Sequence, residues 1–156
     1  MTKALGLSPV ARFAGLAPLL VRVIVGIIMT AHGWQKLSQM GPAGFGQVLG
    51  QMGIPLPGLM GFVVTFVELV GGILLIVGLL SRLAALLLTI NLTVAILLVK
   101  VNVGLIAPSD APGVGAELDL ALIAGFLVIL LAGPGKLSLD YALGIERDAV
   151  EERTTA

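Results

Sequence analysis

The sequence predicts an all-α integral membrane protein: a four-helix bundle with a short amphipathic helix in its first extracytoplasmic loop. Three observations carry this expectation. Of the 156 residues, 58% are hydrophobic and 12% charged, whereas a soluble domain carries about 25% charged residues and could not bury so much apolar surface. The apolar residues gather in four long stretches separated by Gly- and Pro-rich breakers, and at about 1.5 Å of rise per residue some twenty residues cross a hydrocarbon core. Ionisable residues enter those stretches singly, and Glu68 stands near the middle of the run from Leu59 to Leu80 with no basic residue within ten positions.

The first span runs from about Ala14 to Leu37, interrupted by Arg22 and His32. The second runs from Leu59 to Leu80, the third from Leu83 to Val101 around Asn91, and the fourth from about Leu118 to Ala132. Met40-Gly41-Pro42 and Ile54-Pro55-Leu56-Pro57-Gly58 bracket the first connection, Ser81-Arg82 makes a tight second turn, and residues 107–113 mark the third. Within the first connection Phe45, Val48, Leu49 and Met52 follow helical spacing with Gln47 and Gln51 opposite. Glycines at 44, 46, 50 and 53 weaken a helix there, so an ordered Gly-rich loop is the competing reading. The bundle occupies residues 1–145, and a polar tail of mixed charge, 146–156, follows.

Basic residues orient the chain. With four spans, Lys3, Arg12, Arg82, Lys136, Arg147 and Arg153 share the side of both termini, against Lys36 and Lys100 on the other. The expectation is a multi-pass protein of the inner (plasma) membrane with cytoplasmic termini. A cleaved signal peptide is disfavoured because Arg22 breaks the apolar stretch, which also runs on too far. Net charge is zero, and nothing points to nucleic acid. The absence of cysteine excludes disulfides, thiolate metal sites and thiol redox chemistry on this chain. One histidine excludes a bis-histidine haem, and no ligand spacing supports a metal.

An ionisable group deep in a membrane costs about 3 kcal/mol or more unless paired or neutral, and is functional by default. Counted from the outer helix ends, Glu68 lies about 13 Å deep, Asn91 about 15 Å, His32 about 7 Å and Arg22 about 22 Å. Arg22, Gly26, Met29, Gly33 and Lys36 form one stripe, with His32 at its edge. Gly61, Thr65, Glu68 and Gly72 form a second, and Ala84, Asn91, Ala95 and Asn102 a third. Arg22, His32, Glu68 and Asn91 are therefore the candidate ligand-binding set, with Glu68 and His32 the candidates for catalysis. Arg22 is expected to reach Glu68, either as part of that site or as a register-setting salt bridge. His32 has three readings: proton carrier, hydrogen-bond donor to a quinone, or satisfied core histidine. Lys36, Lys100, Asn102, Glu117 and Asp119 fall near the outer ends, as an ion-pair ring at the mouth or, for the lysines, as groups snorkelling to headgroups.

The chain also resembles the DoxX family of small prokaryotic four-helix membrane proteins. The resemblance lies in His32-Gly33-Trp34-Gln35-Lys36-Leu37, Gly53-Ile54-Pro55, the stretch from Val67 through Glu68 and Gly71-Gly72 to Leu75, Gly78-Leu79-Leu80-Ser81-Arg82, and Gly133-Pro134-Gly135-Lys136-Leu137-Ser138-Leu139-Asp140. It covers roughly Leu16 to Leu143. It implies a membrane subunit associated with quinone-linked oxidoreductases, with redox enzymes as partner subunits; it assigns no catalytic residue. The expected function is thus a membrane subunit of a quinone-linked oxidoreductase, with quinone as ligand, no covalent cofactor and no metal. Such a subunit contacts the lipid bilayer and partner proteins, and a homo-oligomer is compatible with it. A scaffold for soluble redox enzymes and a small-solute transporter are the alternatives.

Overall fold

The computed structural model describes residues 13–108 and 115–146. Among these, all regular structure is helical. A 3-10 turn at Ala14–Leu16 leads into α1 (Ala17–Gln39), followed by α2 (Gly41–Gln51), α3 (Pro57–Val77) and α4 (Ser81–Ala95), which continues through a π-helical turn at Ile96–Lys100. α5 (Glu117–Ala132) and the single turn α6 (Leu139–Ala142) complete the order. Proline at the first or second position of α1, α2 and α3 costs no hydrogen bond there and presets the helical φ.

Three segments are long and apolar enough to cross a membrane: Ala14–Gln39, Pro57–Val77 and Ser81–Lys100. α5, 16 residues long, is shorter; it packs against α4 and α1. Leu20, Ile24 and Ile27 of α1 and Leu83 and Ile90 of α4 are exposed, whereas Met29, Leu75, Leu88, Phe126 and Ile129 form the interior. An apolar exterior around an apolar interior suits lipid, where apolar surface has no reason to hide and close packing of small residues holds helices together.

Glycine sets the α1–α3 register. A Cβ on Gly26 would come within 2.8 Å of the Gly72 carbonyl oxygen and 2.9 Å of Ile76, and one on Gly33 would overlap the backbone of Leu69. By that register α1 ends while roughly a turn and a half of α3 still continues beyond it, about 9 Å. α2 fills the corner so formed. Leu49 is buried, Phe45 and Val48 are half-buried, and Gln47 and Gln51 are exposed. Met52 is exposed because the helix stops at Gln51 and the chain turns at Gly53 with φ +77°. Gly61 leaves room for Pro42 and Gly46, and a Cβ on Gly46 would lie 2.8 Å from the Pro57 carbonyl oxygen. Gly46→Ala is expected to loosen α2 from α3 at a cost of about 1–3 kcal/mol, read as faster proteolysis between Met40 and Pro57.

The tight turn falls at Gly78-Leu79-Leu80 rather than at Ser81-Arg82. Gly78 takes φ +72° and Leu80 φ +49°, after which Ser81 already starts α4. Of the third connection, residues 109–114 lie outside the described residues, as do 147–156 of the polar tail. Its first residue, Glu146, accepts a hydrogen bond from Arg82 Nε at 2.8 Å.

Candidate functional site

Glu68 is buried, and its partners come from the two neighbouring helices. Lys36 of α1 pairs with Glu68 Oε2, and Asn91 of α4 donates from Nδ2 to Oε1 at 3.2 Å. The expected Arg22–Glu68 pair is not formed. The register is the reason: with Gly33 against Leu69, Lys36 lies level with the turn holding Glu68, and its ammonium reaches the carboxylate first. Flush helix ends would place Lys36 at the surface. The sequence signal for the true partner was its place on the Gly33 stripe, one turn from the close approach. Lys36 Nζ also lies 5.3 Å from the centre of the Phe45 ring, which ties α2 to the same cluster.

Arg22 belongs to a second polar assembly at the opposite end of the bundle. Its Nη1 donates to the carbonyls of Leu75 (2.9 Å) and Ile76 (2.6 Å), and its Nη2 to that of Leu137. The last carbonyls of α3 carry the negative end of its dipole, and although that of Leu75 also accepts from Gly78 N at 3.2 Å, the two hydrogens of one guanidinium nitrogen reach both it and Ile76 O. Asp140, to which no local sequence pattern assigns a role, completes this assembly. Its two carboxylate oxygens accept from Leu80 N (2.7 Å) and Ser81 N (2.9 Å), while its own N–H donates to Gly78 O at 2.8 Å. An acidic side chain thereby caps the first turn of α4 from sixty residues away. It also holds Leu80 in the left-handed conformation that a side chain ordinarily avoids. Gly78 is required here, because a Cβ would meet Ser138 at 2.6 Å and Arg22 at 2.7 Å. The Gly-Leu-Leu-Ser-Arg and Gly-Pro-Gly-Lys-Leu-Ser-Leu-Asp segments are thus two halves of one structural clamp.

Of the five residues expected at the mouth, Lys100 and Asp119 pair at 2.5 Å, and Lys100 also donates to Gly115 O at 3.2 Å. Lys100 therefore does not snorkel to headgroups, the alternative its position near the helix end allows. The π turn over Ile96–Lys100 inserts extra backbone per turn and shifts the phase of everything beyond Ala95. Asn102 and Glu117 are exposed, and Lys36 points to Glu68, so no ring of five forms. His32 is half-buried one turn from Lys36 and makes no hydrogen bond with the described residues.

Glu68 and Asn91 stand on the wall of a cavity of about 90 Å³ bounded by α2, α3, α4 and the π turn. The rest of the wall is apolar, including Leu49, Ile54, Val64, Val94, Leu98 and Val99. Val94 of α4 and Leu98 of the π turn are exposed apolar residues, so the cavity opens towards the lipid side. No group of three or more His, Asp or Glu side chains suited to a metal occurs among the described residues.

Fold and site together define a small, all-helical membrane protein with ionic groups buried between its helices. The chain belongs to the DoxX family, whose model matches residues 17–101. It is 34% identical to "Uncharacterized membrane protein Rv3486" of Mycobacterium tuberculosis, covering 79% of this chain and 78% of that one. With "Putative oxidoreductase CatD" of Bacillus subtilis it shares 37% identity over 78% of this chain and 83% of the relative. It is 31% identical to "Inner membrane protein YqjF" of Escherichia coli, over 80% and 90% respectively. No solved structure matches.

Proposed function

We propose that this protein is the membrane subunit of a quinone-linked oxidoreductase, holding a quinone headgroup beside Glu68 and Asn91. The observation that carries the reading is a buried carboxylate, bridged by Lys36 and Asn91, on the wall of an otherwise apolar cavity open to lipid. Quinones travel in the hydrocarbon phase, so such an entrance suits them, and a few polar groups on an apolar wall orient a ligand. The oxidoreductase name of the Bacillus relative supports the redox setting. Electrons would come from a partner subunit, since this chain has no cysteine and one histidine.

In this reading α5 completes a four-helix transmembrane bundle, and the excess of basic residues sets both termini in the cytoplasm. α2 then lies at the outer interface, and His32 exchanges protons between the cavity and that side. Arg22 leaves the ligand set for the clamp. Quinone retained after gentle detergent extraction, quantified by mass spectrometry, tests the proposal. Wild-type protein is expected to keep close to one quinone per chain and Glu68→Gln to lose most of it; retention no higher than in bulk lipid would rule the reading out. Quinone-dependent turnover with partner subunits should fall in parallel.

A further inference from the structure

Resting on that reading, we infer that the cavity selects the reduced, hydroxyl-bearing form of its ligand: a neutral quinol in preference to the quinone. The argument is an inventory of what the wall offers. Asn91 Nδ2 donates to Glu68 Oε1, and because a carboxylate only accepts, this contact fixes the amide the same way round. Asn91 Oδ1 is left without a partner among the described residues. Each Glu68 oxygen accepts a single hydrogen bond, from Lys36 or from Asn91, and keeps further accepting capacity. Against these acceptors stands one spare amide N–H of Asn91. Lys36 contributes no donor, since it reaches Glu68 from α1 and is absent from the cavity wall. The aliphatic residues add neither.

A quinone presents two carbonyl acceptors to a wall made mostly of acceptors. A quinol presents O–H donors instead, and the hydroxyl that enters can donate to Asn91 Oδ1 or to the Glu68 carboxylate. Charge narrows the choice further. Lys36 and Glu68 neutralise one another, and no other ionised side chain lines the cavity, so an anionic or cationic head would enter without a counter-ion. Size agrees with an edge-on approach. The cavity, about 90 Å³, is smaller than the roughly 150 Å³ that encloses a benzene ring, so one hydroxyl edge leads while the rest of the ring and its tail stay in the open, lipid-facing part.

The test is anaerobic calorimetry on the full chain in lipid nanodiscs with three probes sharing one ring and tail: decyl-ubiquinol, decyl-ubiquinone and the dimethyl ether of the quinol. Decyl-ubiquinol is expected to bind about tenfold tighter than the other two, the equivalent of one net hydrogen bond. Asn91→Leu should remove most of that preference, weakening quinol binding more than quinone binding. Should this variant fail to fold, the three probes on wild-type protein decide alone. Quinone binding as tightly as quinol, or the ether matching the quinol, would overturn the inference and leave the quinone reading standing. Binding of none of the three would overturn both.

Discussion

Replacing Lys36 with methionine is expected to destabilise the bundle by about 3–5 kcal/mol, because Glu68 would remain buried without its cation. The companion change Glu68→Leu also strands a charge, this time on Lys36. The double variant Lys36→Met/Glu68→Leu removes both charges and is expected to recover most of the loss. Thermal unfolding of the four proteins in one detergent measures the coupling directly. Additive effects would show that the pair contributes nothing to packing. The same cycle separates stability from ligand retention: the double variant should be folded yet hold no quinone, since Asn91 alone keeps the headgroup poorly.

Asp140→Ala is expected to be nearly as damaging, by about 3 kcal/mol, from two charge-assisted hydrogen bonds lost and two N–H groups, one buried and one part-buried, left open. For a chain of this size that corresponds to a fall of roughly 10 °C in melting temperature. The loss should be local at first. Leu80 would be released from its left-handed conformation, and the turn between α3 and α4 should become the earliest site of amide exchange. Asp140→Asn, which retains one acceptor, is expected to lie between the two. A melting temperature unchanged in Asp140→Ala would mean that the clamp is not what holds the C-terminal segment to the α3–α4 turn.

The helices themselves were legible in the sequence, to within two or three residues at most ends, because apolar runs of membrane length between Gly and Pro breakers leave the chain few choices. The neighbourhood of Glu68 and Asn91 was legible too, since both lie near mid-helix on stripes lined with small residues. Their third partner was not. Depth counted from flush helix ends placed Lys36 at the surface and drew Arg22 to Glu68, and that premise failed because Gly26, Gly33 and Gly72 let α1 and α3 pack in an offset register. The pairing of Lys100 with Asp119 was obscured by the π turn, which changes the angular step that a helical wheel holds constant. Asp140 was hidden for a further reason: its two hydrogen-bond donors lie sixty residues away, and no local pattern announces a cap supplied from such a distance.

Composition and periodicity therefore decide that this chain lives in a membrane as packed helices with a carboxylate at their centre. Which cation meets that carboxylate, and which acidic group closes the far end, depends on helix register and on the unsatisfied backbone groups at helix ends. Both are properties of neighbouring helices in contact, and a pairing between them has no period along the chain from which it can be read.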